Sequence, residues 1–245
     1  MKAFKSYTDK QLRTLHRLLK EYAVLHDTET LHKIRVDIKR IKAALKLLGY
    51  RSPRFNTHRH YLPFRDIFRK ANQIREPELM VKLLMAYKIE GIAGEHLLTT
   101  RAPLITSFRK KIPSFAEKIR KSEETLQAPI RSVRVPLFRR YLKVTAGRIQ
   151  KRLYPKPDFR SIHGTRKKIK QLIYLSAVYQ GMRRKDYRFY RTIEQTIGQL
   201  HDKQVLVDFL RKHTKAVGSA AIKTLQDECL KDKKLIASLS RRFYR

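Results

Sequence analysis

Residues 31–45 read Leu31-His32-Lys33-Ile34-Arg35-Val36-Asp37-Ile38-Lys39-Arg40-Ile41-Lys42-Ala43-Ala44-Leu45, and this stretch decides how the rest of the chain is read. At 3.6 residues per turn, Leu31, Ile34, Ile38, Ile41 and Leu45 fall on one face, the buried stripe of an amphipathic helix. A second face, within about one quarter of the circumference, carries His32, Arg35, Lys39, Lys42 and Lys46. Cations on successive turns repel one another by ~0.2–0.5 kcal/mol per i,i+4 pair. No carboxylate is interleaved in the column to relieve this, and Asp37 points elsewhere. Taken alone, a basic stripe is usually a solvated face. A polyanion lying along it would give the column a purpose.

The column recurs. Displaced by 131 residues, Arg17, Lys20, Asp27, His32, Arg35, Ile38 and Lys39 fall on Arg148, Lys151, Asp158, His163, Arg166, Ile169 and Lys170. Farther on the displacement is 126, and Arg65, Ile67, Gln73, Val81 and Leu84 fall on Arg191, Ile193, Gln199, Val207 and Leu210. The second column comprises His163, Arg166, Lys167, Lys170 and Tyr174 in the same register against the apolar stripe. Flanking helices add Arg17, Lys20, Arg148 and Lys151 on one side, and Arg65, Arg69, Arg188 and Arg191 on the other. Arg75 stands where the second copy has His201. The period is too long for a solenoid. It fits an all-α chain of two pseudo-symmetric four-helix bundles, residues 1–125 and 126–245, joined by a crossover within 101–135.

Helices are expected near 9–25, 28–48, 62–75, 77–100, 137–153, 159–180, 186–200 and 203–243. Thr8 with Gln11 and Ser114 with Glu117 read as capping boxes, Asp27 and Asp158 as N-caps, and Gly49 and Gly181 as helix stops. Pro103, Pro113, Pro129 and Pro136 mark the crossover, and no alternating run suggests a strand.

The 42% hydrophobic content of the 245 residues suffices for a packed core. Fifty-eight Lys and Arg against twenty-one Asp and Glu leave a formal net charge of +37, which favours nucleic acid, an anionic membrane surface or a phosphate polymer as partner. The single cysteine, Cys229, reads as a small buried hydrophobe, and one thiol forms no internal disulfide. No stretch approaches the ~18 apolar residues of a membrane span, and Met1 to Lys10 lacks a secretory apolar core. The cytoplasm is the expected location.

Motifs for nucleotide cradles, zinc hydrolases, redox dithiols and serine nucleophiles are all missing, and carboxylates for acid–base work or for holding a catalytic metal do not sit in the columns. The expectation is a binding protein with no catalytic residues, no metal and no cofactor. His58 and His60 form an H-x-H pair too poor in neighbouring ligands to hold a metal. The alternative reading, a nucleic-acid-binding protein, rests on Tyr187-Arg188-Phe189-Tyr190-Arg191, where basic and aromatic residues interleave.

Leu31 to Lys42, and its second copy Ile162-His163-Gly164-Thr165-Arg166-Lys167-Lys168-Ile169-Lys170-Gln171-Leu172-Ile173-Tyr174, resemble the signature of the CHAD family, the conserved histidine α-helical domains. The resemblance extends over essentially the whole chain. It implies two four-helix bundles with a basic channel between them and inorganic polyphosphate as ligand, for which phosphate or sulfate can substitute. By that match His32, Arg35, Lys39 and Lys42, with His163, Arg166 and Lys170, correspond to channel-lining positions. Gln171 and Ile173 stand where the first copy has Arg40 and Lys42, which weakens the second half. Arg75-Glu76 and His201-Asp202 stand where the family pattern has Arg-Asp. The E-x-E-x-K motif of the triphosphate-tunnel domain often fused to family members is missing, so a stand-alone form is implied. A polyphosphate ligand would also associate the chain with polyphosphate granules.

Overall fold

The computed structural model describes residues 2–89, 98–178, 182–213 and 219–244, and among the described residues all regular structure is α-helical. Eight helices follow in chain order: α1 (Lys2–Leu25), α2 (Thr28–Arg51), α3 (Thr57–Ala86), α4 (Arg101–Arg131), α5 (Val135–Leu153), α6 (Ile162–Ser176), α7 (Arg184–His213) and α8 (Ser219–Tyr244). None of these helices is long and apolar enough to cross a membrane.

Leu31, Ile34, Ile38, Ile41 and Leu45 are all buried along α2, as the apolar stripe requires. At its start Asp27 caps the helix, accepting from the Thr30 backbone N–H at 2.8 Å. The preceding His26 takes a left-handed φ of 54°, and its N–H donates to the Tyr22 carbonyl at 3.2 Å, turning the chain so that α2 packs back on α1. Gly49 does not stop α2, which continues to Arg51. Its small size has another cause: a Cβ there would come within 2.2 Å of Thr57 Oγ1, at the start of α3. Gly181 lies outside the described residues.

Several expected boundaries move. Helices 62–75 and 77–100 are replaced by α3, which continues through Pro63 and Pro77 to Ala86, while residues 90–97 lie outside the described residues. The proline-bearing stretch read as a crossover is largely one helix, α4, running through Pro113 and Pro129. An interior proline costs about 3 kcal/mol. Burying one large apolar side chain returns ~1.5–3 kcal/mol, and α4 buries Phe108, Ile112, Phe115, Ile119, Leu126 and Ile130 on a helical period. Packing therefore overrides the local penalty. Thr8 and Ser114 consequently lie inside helices and cap nothing; the Thr8 hydroxyl donates to the Phe4 carbonyl of its own helix at 2.9 Å. Asp158 sits one turn ahead of α6, accepting from Arg160 N–H and the Ser161 hydroxyl. The break expected between 200 and 203 does not occur, since α7 runs to His213.

The chain forms two compact units that divide α3 after Leu79 and α5 after Tyr141. In the first, Phe4 meets Phe138 at 6.0 Å between ring centroids, and Phe108 meets Tyr22 at 5.3 Å and Phe115 at 5.4 Å. The second is built around Ile149, Ile169, Leu172, Ile193, Ile197 and Ile236, with Cys229 among the buried residues. The His32 column belongs to the first unit and the His163 column to the second.

Candidate functional site

The first column is anchored by α3. Tyr61, Phe68, Asn72 and Arg75 recur on one face of that helix at spacings of seven, four and three, and three of them hold the α2 cations in place. Arg35 Nε donates to Asn72 Oδ1 at 2.7 Å. The Arg35 guanidinium and the Lys39 ammonium each lie 5.7 Å from the Phe68 ring centroid, and Lys42 Nζ lies 4.2 Å from that of Tyr61. Each such cation–π contact contributes ~0.5–2 kcal/mol, more as water is excluded. The cations are thus partly desolvated before any ligand arrives. Burial, aided by Arg75 and opposed by Glu76, lowers the Arg35 pKa to about 10. His32, at the head of the column, has its pKa lowered by burial first and by Arg75 next, and its Nδ1 is buried without a hydrogen-bond partner. Lys46 is half-buried on the same α2 face.

In the second column α7 supplies the support, by different chemistry. Arg166 Nε donates to Glu194 Oε1 at 2.9 Å, and Lys170 Nζ reaches the same oxygen at 3.1 Å. Burial works to raise the Glu194 pKa, but Lys170 and Arg166 more than reverse it, and the carboxyl ionises below its ordinary range. The expectation that no carboxylate sits in the columns is therefore corrected in the second copy. Gly198 makes the arrangement possible, because a Cβ there would stand 2.6 Å from Arg166 Nη2. His163 and His201 lie with ring centroids 4.5 Å apart. Burial, then Lys167, His201, Arg166 and Lys170, lowers the His163 pKa to about 4, and its Nδ1 has no hydrogen-bond partner. Lys167 is exposed and Tyr174 half-buried on α6, whereas Gln171 and Ile173 are buried.

The flanking residues are placed less uniformly. Arg17 pairs with Glu21 at 2.8 Å and lines a cavity beside His32, while Lys20 is exposed on α1 outside that cavity. Arg65 lies 3.3 Å from His58 and Arg69 lies 3.5 Å from Asp66, both exposed. Arg148 acts electrostatically on Lys168, and Arg191 on Lys170. Lys151 and Arg188 are exposed. His60 stacks on Phe55 at 4.4 Å, apart from His58. Among the described residues no group of three His, Cys, Asp or Glu could hold a metal ion.

Sequence reasoning missed Phe68, Asn72, Glu194 and Gly198, and treated Arg75 and His201 only as a matched pair. A signal existed. Displaced by 126, Phe68 falls on Glu194, Asn72 on Gly198 and Arg75 on His201, so three of the four α3 positions beside the first column are unlike in the second copy, while Tyr61 falls on Tyr187.

The family model described as CHAD domain matches residues 6–211. No curated protein shows a significant match. Among solved structures, the crystal structure of the CHAD domain from the plant Ricinus communis is similar, with a TM-score of 0.66 and 19% sequence identity, covering 98% of this chain and 90% of that one. At that identity the likeness concerns the fold.

Proposed function

The chain belongs to the CHAD family, and on that premise we propose that it binds inorganic polyphosphate along its two histidine-headed columns without catalysing its turnover. The observation that carries this reading is the repeated column, in which Arg35 and Arg166 stand in the same register and are each oriented by the neighbouring helix. Polyphosphate bears charge at nearly every repeat and has no bases, so its site needs closely spaced donors and no stacking platform. Arg forks grip phosphate oxygens bidentately, while Lys acts as a mobile point charge. The family supports the same ligand, and cytoplasmic polyphosphate granules are then its setting.

Nucleic acid is the weaker reading. The run 187–191 turns its aromatics inward: Phe189 stacks on Phe243 at 3.7 Å, Tyr190 is buried, and of the three only Tyr187 is exposed. The test is binding of labelled polyphosphate against RNA and heparin at matched charge and salt. Polyphosphate should win, with affinity falling steeply as salt rises through counterion release. Arg35→Ala with Arg166→Ala should lose several kcal/mol, since each charged hydrogen bond is worth ~1.5–3 kcal/mol. Lys110→Ala with Lys118→Ala, equal in charge and exposed on α4, should lose little. Equal or tighter binding of single-stranded RNA overturns the ligand, and time-dependent shortening of polyphosphate overturns the non-catalytic role.

A further inference from the structure

The α1–α2 side of the first unit holds a concave place that shares His32 with the column. A cavity of about 350 Å³ is lined there by Thr14, Arg17, His32, Lys33, Asp37 and Arg40, among others. At about 30 Å³ per water in the liquid, it has room for a small oxyanion with several waters. Asp37 is 1% exposed, and neither of its carboxylate oxygens has a hydrogen-bond partner. Arg40 Nη1 lies 3.9 Å from Oδ1, too far for a hydrogen bond. His32 Nδ1 is likewise buried and unpartnered. A buried polar group left without a partner is costly, and two of them border one cationic cavity.

The shell and the orphan carboxyl make separate demands. Arg17, Lys33 and Arg40 select an anion. An ionised carboxylate accepts hydrogen bonds and donates none, so the anion must itself carry a donor proton. Sulfate has no such proton at neutral pH, and the interior phosphates of a chain have none either. Orthophosphate keeps one well above neutral pH, and the terminal phosphate of a chain carries one below its second ionisation at ~6. We propose that this groove binds a phosphate group bearing a P–OH, the hydroxyl donating to Asp37 and the remaining oxygens accepting from Arg17, Lys33 and Arg40.

Burial pushes the Asp37 pKa up to about 7, against Arg40 and Arg17. That is close to the second ionisation of a phosphate ester at ~6, so one proton is shared between two groups of similar affinity. The second repeat is an internal control. It keeps Thr145, Arg148 and His163 at the matching positions but has Lys168 in place of Asp37. Burial, then Arg152 and Arg148, lowers the Lys168 pKa. A phosphate there would find no carboxylate at the position matching Asp37. The groove reads phosphate ends, a task distinct from that of the columns, and its failure would leave the polyphosphate reading standing.

The test uses the full chain at about pH 8.5, where Asp37 is ionised and orthophosphate still carries one proton, following the Val36 and Asp37 amide signals on titration with orthophosphate and with sulfate. Phosphate should bind this groove at least about tenfold tighter, the least expected of one hydrogen bond to a charged group. Asp37→Asn, whose amide can donate to sulfate, should abolish or invert the preference, and Lys168→Asn should leave it intact. At about pH 6, where a chain end holds its proton, linear tripolyphosphate should compete with orthophosphate for the groove and cyclic trimetaphosphate, which has no ends, should not. Competition by neither assigns the groove to free orthophosphate. Arg40→Gln gives an independent reading by weakening phosphate several-fold should Asp37→Asn not fold. Parity of phosphate and sulfate in the wild type, an unchanged ratio in folded Asp37→Asn, or unaltered phosphate binding in Arg40→Gln overturns the proposal.

Discussion

Where α3 sets the Phe68 ring beside Arg35 and Lys39, α7 sets the Glu194 carboxylate against Arg166 and Lys170. Where the first column continues to Lys42 over Tyr61, the second turns inward to buried Ile173. An aromatic face holds a cation without cancelling its charge, so Arg35 and Lys39 keep their pull on an anion. A carboxylate holds it more firmly and neutralises part of it, so a ligand at the second column must compete with Glu194. Two copies of one pattern thus hold their cations differently, the first by aromatic rings and an amide, the second by a carboxylate.

The largest expected effect separates the two. Arg35→Ala with Lys39→Ala should reduce polyphosphate affinity by ~3–6 kcal/mol, two charged contacts at ~1.5–3 kcal/mol each. Arg166→Ala with Lys170→Ala should cost about half as much, because Glu194 already occupies both donors. Equal losses, measured by calorimetric titration, would break the comparison.

Glu194→Gln sharpens it from the other side. Removing one partner of a buried ion pair destabilises by ~3–5 kcal/mol; the half-buried cations here place the expected loss at or below the lower end. The same change frees Arg166 and Lys170 for the ligand. Urea melts should therefore show a less stable free protein and a larger gain on adding polyphosphate, and an unchanged gain would mean that Glu194 does not compete.

A several-fold effect is expected from pH at the second column. Folded His163 titrates at about 4, below the ordinary 6.5, because burial and the neighbouring cations both disfavour its charged form. Between those values the unfolded chain holds a proton that the folded one sheds, so stability falls as pH drops from 6.5 toward 4. Lys167, Arg166, Lys170 and His201 face the ring and oppose its protonation, while Glu194 lies against two of these cations. A bound polyanion would reverse their effect. Affinity should then rise as pH falls through that window, with proton uptake visible as a buffer-dependent binding enthalpy, and His163→Gln should remove the uptake.

The smallest effects concern the two residues that seat the guanidiniums. Asn72→Ala should weaken binding by ~1 kcal/mol through loss of one hydrogen bond to Arg35. Gly198→Ala should raise helix stability by ~0.8–1.0 kcal/mol while displacing Arg166, whose Nη2 would lie 2.6 Å from the new Cβ. Of these two variants, only Gly198→Ala should therefore move thermal melts and binding in opposite directions.

The apolar stripe of α2, its Asp27 cap and the register of the repeat were legible because each depends on residues close in sequence. Continuity through Pro77, Pro113 and Pro129 was not legible, because a local breaker was outvoted by burial of partners far along the chain. The Thr8 and Ser114 signatures failed for the same reason, since a capping box marks a start only where the preceding turn is not helical. Glu194 was hidden differently. It lies between Ile193 and Ile197 on a buried stretch, and only the position of α6 shows that its charge is answered by Arg166 and Lys170.

Cys229 is 8% exposed within the core of the second unit, and burial raises its thiol pKa. Both features suppress the thiolate that reacts with alkylating reagents. Where modification waits for the segment around it to open, the labelling rate of this thiol is a clock for the opening of α8 against α7. Wherever reclosing outpaces labelling, the clock reports a free-energy difference rather than a speed. Such a reporter of motion would require no introduced probe, and it sits far in sequence from every residue of the columns.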